Sequence, residues 1–140
     1  MPSFFVEGIP KPQPRPKACI RGRHAGVYDP GTADEWKAKV RKAWRDSGLE
    51  KFVGPLKVSY HFEMPRPKSH FKKGVLRPGA PYWHIIRPDM DNVIKSTQDA
   101  LTDAGAWDGD EQVCAGDPKK RYCGISGRTG CLITIEQLTL

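Results

Sequence analysis

Two basic, proline-rich segments limit where regular structure can form in this chain. They cover about residues 8–31 and 64–86, and each interleaves prolines with lysine, arginine and histidine. Proline lacks an amide hydrogen and interrupts both helices and strand ladders, so we predict two long irregular loops here. Loops of more than ~12–15 residues in a small domain usually have a function or are disordered. The helices and strands of the core must therefore come from the remaining sequence.

Two stretches have the apolar spacing of amphipathic helices. Thr32–Glu35 has the form of a capping box, and apolar residues then recur at helical spacing as far as Ser47-Gly48. These residues are Trp36, Val40, Ala43 and Trp44. Tryptophan can stack on bases, but a one-sided apolar stripe is more often core, so we assign both to packing. A second helix should follow Pro88 and end by Gly105, with a stripe of Met90, Val93, Ile94, Thr97 and Leu101.

Four stretches have the pattern of strands. Leu56–Phe62 alternates apolar and polar residues with a period of two. Shorter apolar runs occur at Phe4–Val6, Gln112–Ala115 and Cys131–Ile135, and a turn-rich stretch at 116–130 joins the last two. The order β, α, β, α, β, β predicts an α/β chain of the α+β type. We expect a mixed β-sheet packed against two main helices, in a single small domain over residues 1–140.

The net charge favours a polyanionic partner. Lysine and arginine outnumber aspartate and glutamate by 23 to 16, a formal net charge of +7, which favours nucleic acid first and acidic membrane second. No stretch approaches the ~20 apolar residues of a membrane span, and the first residues do not resemble a secretion signal. We expect a cytoplasmic protein that is nucleoid-associated when bound to DNA.

The four cysteines lack the spacing of a zinc knuckle. They are Cys19, Cys114, Cys123 and Cys131, and we interpret them as reduced thiols, with disulfides or zinc as the alternative.

The cationic residues concentrate in and beside the two proline-rich segments. Two such loops in one small domain favour a cradle for nucleic acid, because lysine and arginine supply the phosphate contacts. The candidates for DNA binding are Arg15, Lys17, Arg21, Arg23, Lys68, Lys72, Lys73 and Arg87. For the first segment, a solvated proline-rich arm is the alternative interpretation.

Asp89 and Asp91 lie at the predicted start of the second helix. Within a helix they would lie about 200° apart, whereas in extended backbone residues i and i+2 point the same way. Pro88 biases Arg87 toward extended backbone, and Asp89 is a good helix N-cap. The pair should therefore sit where the chain enters the helix, and its carboxylates can converge there. Capping by Asp89 is the competing interpretation.

Asp110 completes the candidate site, because a return of the chain could bring it beside the helix start. Three carboxylates close together repel one another unless a cation neutralises them, and hard oxygen ligands select Mg²⁺ or Mn²⁺. Such an ion activates water and stabilises the charge that develops on a phosphodiester. Lys95 lies four residues after Asp91, so the helix should hold this acid and base side by side, and Lys95 could hold the scissile phosphate. The residues alone leave metal site and helix cap as even alternatives.

Four motifs resemble, in order and spacing, the signature of the RusA family of Holliday junction resolvases. They are R-P-D-M-D-N-V-I-K from Arg87, D-A-L from Asp99, A-G-A-W from Ala104 and D-E-Q-V from Asp110. The resemblance implies a homodimer that needs Mg²⁺ or Mn²⁺ and resolves four-way junctions by paired symmetric nicks in DNA recombination and repair. It also implies that Asp89, Asp91 and Asp110 are metal ligands and that Lys95 is the catalytic lysine.

One corner departs from the family pattern. Members often read D-D-x-Q-V, whereas this chain has Gly109 before D-E-Q-V. Counting back from Gln112 keeps Asp110 as the ligand, with Asp108 and Glu111 as substitutes that need a test. Lys120 matches a basic position of the family and is a further candidate for DNA contact. His84 lies near the motif but is left out of the ligand set.

Two other functions would use the same residues. One is a structure-selective DNA-binding protein that does not cut. The other is a nuclease for RNA or for other branched DNA, such as flaps and forks, which shares the acids and differs only in the basic loops. Incubation of a four-way junction with Mg²⁺ separates the first from a resolvase, and a panel of substrates separates the second.

Overall fold

Residues 1–15, 17–21, 24–28 and 31–139 are described by the computed structural model, with only the backbone described at 17–21 and 24–28. The helices of this part are α1 (Asp34–Asp46) and α2 (Met90–Ala104), and short 3-10 turns lie at Lys68–His70 and Asp110–Gln112. The strands are β1 (Ser3–Glu7), β2 (Lys17–Arg21), β3 (His24–Tyr28), β4 (Leu56–Met64), β5 (Phe71–Lys72), β6 (Val75–Leu76), β7 (Val113–Ala115), β8 (Lys119–Tyr122) and β9 (Gly130–Gln137).

Strand β4 is the centre of a mixed sheet. It pairs antiparallel with β9, which pairs antiparallel with β1. On its other side β4 pairs in parallel with β7 near its start and with β8 near its end. Every second residue of β4 is buried, as its alternation predicts, so one face of the strand faces the core. Gly130 lets β1 and β9 approach, because a Cβ there would meet the Val6 carbonyl oxygen.

The two helices pack against each other over this sheet. Trp36, Val40 and Trp44 are buried, and the Trp36 indole donates a 3.0 Å hydrogen bond to the Thr97 hydroxyl of α2. The assignment of both tryptophans to packing is confirmed. One hydrophobic cluster includes residues from both helices and from the sheet, so the described residues form a single small domain with the predicted mixed α/β architecture.

The predicted capping box at Thr32 is wrong. Helix α1 begins at Asp34, and its N-cap is Ala33, which makes no side-chain capping bond to any described residue. The Gly31 carbonyl accepts the Asp34 amide at 3.2 Å, so Thr32 lies in the turn before the helix. The predicted end near Ser47-Gly48 is confirmed, with Ser47 as the C-cap.

The two basic segments are more regular than predicted. The first contains the antiparallel hairpin β2–β3, in which Lys17 pairs with Tyr28 and Arg21 with His24. The prolines that precede this hairpin end at Pro16, so the paired strands keep their amide hydrogens. The second segment contains a 3-10 turn and the short hairpin β5–β6. Strand β8 also interrupts the predicted turn-rich stretch at 116–130.

Two further sequence-based expectations concern membranes and cysteines. Of the helices in the described part of the chain, neither has the length and apolar character to cross a membrane. Cys114, Cys123 and Cys131 are free thiols, as predicted, whereas the side chain of Cys19 lies outside the described residues.

Candidate metal and DNA-binding site

Asp89 and Asp91 flank the first residue of α2. Asp89 has extended backbone, with φ −65° and ψ 148°, and its carbonyl accepts the Val93 amide at 3.1 Å. The predicted change from extended to helical backbone at this pair is confirmed. Asp89 takes the N-cap position, yet its carboxylate makes no capping bond to any described residue. The Asp89 carboxylate is therefore not used as a helix cap. Both Asp89 and Asp91 are exposed.

Lys95 pairs with Asp99 and not with Asp91, so the predicted Asp91–Lys95 pair is wrong. Its ammonium lies 3.0 Å from Asp99 Oδ1. Side chains on a helix lean toward its N-terminus, so the short Asp99 side chain leans toward Lys95 and that of Asp91 leans away. The hydrogen bond to Asp99 raises the pKa of Lys95, and the charges of Asp99 and Asp110 add to this shift. Lys95 is therefore a firmly protonated cation.

Asp110 is held at the far end of α2. Its Oδ1 accepts a hydrogen bond from the Thr102 hydroxyl, which in turn accepts the Trp107 indole N–H at 2.7 Å. Thr102 lies twelve residues after Met90, or about 18 Å along the helix axis. The prediction that Asp110 lies beside the helix start is therefore wrong. The reason is that Trp107 is buried directly after the helix and holds the returning chain at that end.

The acids thus form two groups along α2. Asp89 and Asp91 lie at its start, whereas Asp99 and Asp110 lie further along, within electrostatic reach of Lys95. Among the described residues, no three aspartate, glutamate, histidine or cysteine side chains are grouped as a metal site. A pair of carboxylates still fits Mg²⁺, which keeps several waters and commonly takes one or two carboxylates together with substrate phosphates. Of the three predicted ligands, only Asp89 and Asp91 lie together at the start of α2, and their convergence on one ion stays a prediction.

Sequence reasoning missed a polar network beside Lys95. The hydroxyl of Tyr60 on β4 donates a 3.0 Å hydrogen bond to Gln98 Oε1 of α2. Burial raises the pKa of Tyr60 well above 10.0, and the charges of Cys131, Asp110 and Asp99 raise it further. The four-residue spacing of Lys95 and Asp99 could have identified Asp99 as the partner of Lys95. No local signal points to Tyr60, because it lies on another element.

The corner around Gly109 is fixed by Gln112. The side-chain oxygen of Gln112 accepts the amides of Asp108 and Gly109 at 2.8 and 3.2 Å. The Asp108 carboxylate forms a salt bridge with Lys51, and the Glu111 side chain is exposed. Neither acid is brought into the Asp89–Asp91 pair, and their role as substitutes for Asp110 stays a prediction.

An open cleft of about 800 Å³ lies at the start of α2. Asp89 lines it together with residues of the first basic segment, the chain after β4 and the chain before α2. Arg15 and Arg87, two of the candidate DNA contacts, are exposed at the same cleft. The cleft therefore places two of these cations beside one candidate ligand.

The other candidate DNA contacts are distributed differently. Lys68, Lys72 and Lys73 are exposed on the second basic segment. Lys120 donates to the carbonyl oxygens of Ile86 and Pro88, and burial lowers its pKa although the Asp89 charge opposes this. It thus holds the chain before Asp89. The side chains of Lys17 and Arg21, and Arg23 as a whole, lie outside the described residues.

Comparison with known proteins agrees with this arrangement of motifs. The family model described as "Endodeoxyribonuclease RusA" matches residues 7–136. A protein of Bacillus subtilis (strain 168), "Uncharacterized protein YqaN", is 31% identical over 108 residues, which is 70% of this chain and 72% of the relative. The family match covers both helices, every acid of the candidate site and the central sheet except most of β1 and the last residue of β9. The chain belongs to the RusA family of endodeoxyribonucleases.

Proposed function

We propose that this chain is a metal-dependent endonuclease that resolves four-way DNA junctions by paired symmetric nicks, in DNA recombination and repair. The observation that supports it most is the Asp89–Asp91 pair, two exposed acidic residues at the start of α2, of which Asp89 lines a cleft that also carries cationic side chains. The family model that covers residues 7–136 supports the reaction class. The net charge of +7 supports DNA as the polyanion. The enzyme would act in the cytoplasm, on the nucleoid.

In this proposal Asp89 and Asp91 hold Mg²⁺ or Mn²⁺. When bound, such an ion supplies an activated water and neutralises charge on the phosphodiester. Asp89 is held at the helix entry by the bond of its carbonyl to Val93, and Lys120 fixes the chain before it. Lys95, kept protonated by Asp99, would place its positive charge beside the scissile phosphate. Arg87 and Arg15 would hold the flanking phosphates at the cleft.

Asp110 is proposed as the third acid of the reaction, on the basis of its match to the D-E-Q-V motif. Because Asp110 lies far from the start of α2, two roles are possible for it: it is a metal ligand, or it acts through Lys95. If it is a ligand, Asp110→Asn weakens Mn²⁺ binding measured by calorimetry. If it acts through Lys95, the variant binds Mn²⁺ like the wild type but cleaves more slowly.

The proposal is tested with variants of the aspartates on α2 and its cap. Asp89→Asn and Asp91→Asn should each slow cleavage of a synthetic four-way junction on the order of 100-fold or more, while junction binding is kept. Asp103→Asn changes an exposed aspartate of the same helix and is the matched control. Cleavage by Asp91→Asn at the wild-type rate would refute this site. Chelation of the metal should stop cleavage by the wild type.

A structure-selective DNA-binding protein that does not cut is the second candidate. It is favoured by one observation, the separation of Asp110 from the Asp89–Asp91 pair. This candidate predicts a stable junction complex without nicks in both Mg²⁺ and Mn²⁺. A nuclease for other branched DNA is tested with flaps and forks of the same sequence, because the acids would be shared.

We also propose a homodimer. A four-way junction has approximate two-fold symmetry, and two nicks on opposite strands require two related active sites. Sedimentation at the concentration used for cleavage tests this directly: a dimer is expected, and a monomer that makes paired nicks would contradict it.

A further inference from the structure

The cleft at the start of α2 has three sides, and each is held in place by hydrogen bonds. One wall is the chain from Ile9 to Gln13. It is tied to α2 because the Ser96 hydroxyl donates to the Lys11 carbonyl and the Gln13 amide donates to the Asn92 carbonyl at 2.9 Å. This wall is therefore anchored through its backbone along much of its length.

A second wall is the chain from His84 to Asp89. The His84 amide donates to the Lys120 carbonyl at 3.2 Å, and the Lys120 ammonium donates to the Ile86 carbonyl at 2.7 Å. A third side comes from Met64–Pro67, where the Met64 carbonyl accepts the Cys123 amide at 2.8 Å. All three sides are thus bonded to α2 or β8 or to the chain next to them. The cleft is part of the fold and not a gap between loops.

Two of the residues that line this cleft each carry a side-chain polar atom that is buried without a partner among the described residues. These atoms are Oε1 of Gln13 and Nδ1 of His84. His84 is 6% exposed, and its ring packs edge-on against Tyr122 with centroids 4.9 Å apart. Buried polar groups in native proteins nearly always have hydrogen-bond partners, so two such atoms on residues that line one cleft point to a ligand. Burial, and then the Lys120 charge, lower the pKa of His84, so its ring is uncharged at neutral pH.

The remaining lining defines the kind of ligand. Proline and isoleucine side chains supply flat or apolar walls, from Ile9, Pro10, Pro12, Pro65, Pro67 and Ile86. Lys11, Arg15 and Arg87 add positive charge, and Asp89 lies at the same cleft. A planar heterocycle with hydrogen-bonding edges and an attached phosphate satisfies these features together. A volume of about 800 Å³ is in the usual range for a small-molecule site.

We propose that the cleft receives one unstacked nucleotide of the branched DNA, whose base is hydrogen-bonded by Gln13 and His84. This inference rests on the proposed function and deepens it, because it names how the DNA is held beside Asp89. A base next to a branch point is the natural occupant, since unstacking costs least where pairing is already disturbed.

The first experiment changes only the DNA. Four-way junctions carry 2-aminopurine at each position that flanks the branch point, and Asp91→Asn protein is added in EDTA so that no cutting occurs. Unstacking should raise the 2-aminopurine emission several-fold at one flanking position and not in the middle of an arm. An abasic site at the same position should weaken binding, measured by anisotropy, about tenfold.

The second experiment changes the protein. Gln13→Leu and His84→Phe keep side-chain volume but remove the two polar atoms, and each should weaken junction binding about fivefold. Gln137→Leu and His61→Phe make the same changes on β9 and β4, away from the residues that line the cleft, and serve as matched controls. Circular dichroism checks that each variant is folded.

The outcomes separate the two proposals. A junction that is bound with unchanged emission at every position, and equally well with an abasic site, overturns the nucleotide cleft and leaves the proposed function intact. Wild-type affinity in both Gln13→Leu and His84→Phe also overturns it. If the wild type binds no DNA at all, both the cleft and the proposed function are refuted.

Discussion

The residues at the start of α2 are arranged by backbone conformation and by the direction of helical side chains. At Asp89, directly after Pro88, the backbone changes from extended to helical. Lys95 lies four residues from Asp91 and four from Asp99, and it pairs with Asp99 because side chains on a helix lean toward the N-terminus. Spacing identifies which residues can meet, and side-chain direction decides which do.

His84 gives a prediction at the residue scale. Burial lowers its folded-state pKa below 6.5, so the unfolded chain takes up a proton that the folded chain resists. The free energy of unfolding should therefore fall as pH drops through the unfolded value near 6.5. His84→Phe removes this loss. We expect its melting temperature, relative to wild type, to be higher at pH 5.5 than at pH 7.5, measured by thermal denaturation. A difference in melting temperature between His84→Phe and wild type that is the same at both pH values would contradict the account.

The elements with strong periodicity were predicted well. The apolar patterns of helices α1 and α2 extend over two or more turns, and that of strand β4 extends over six or more residues. The observed ends of these three elements agree closely with the ends predicted from the sequence. The hairpins were missed because their strands are short and follow basic, proline-rich sequence, and strand β8 was missed because it is short and its pairing is not encoded locally. Strand β8, for example, pairs in parallel with β4, which lies far away in the sequence.

The end of α2 gives a prediction at the element scale. Gly105 is its C-cap, in left-handed backbone with φ 89°, a conformation that costs an L-residue about 1 kcal/mol or more. Gly105→Ala should lower the free energy of unfolding by about that amount in urea denaturation. The matched control is Gly124→Ala: no described atom lies within 4 Å of a Cβ there, and its φ is not in the left-handed region. Equal effects of the two changes would refute this cause.

The whole molecule shows what local patterns could not supply. The family and the mixed sheet over two helices were predictable, because charge, motif order and periodicity all pointed to them. The arrangement of the acids was not, because it depends on how the chain is held after α2. Trp107 fixes that return at Thr102, and it does so through tertiary burial that no spacing reveals.

Salt gives a prediction for the molecule as a polycation. Each phosphate neutralised adds about −0.9 to the slope of log K against log salt on duplex DNA. Lys72→Ala, in the second basic segment, should reduce the magnitude of this slope by about 1. Lys42→Ala removes a lysine of α1 that is paired with Asp46, and it should leave the slope unchanged. Junction binding that does not depend on salt would argue against a DNA-binding role for the basic segments.

The most direct test of the proposed resolvase is the position of its cuts. A four-way junction labelled in turn on each strand is incubated with the wild-type protein and Mg²⁺, and the products are mapped at nucleotide resolution. We predict nicks at symmetric positions on two opposite strands, giving duplexes that ligase can seal, and no nicks in EDTA. A junction that is bound but stays intact in both Mg²⁺ and Mn²⁺ would contradict the account.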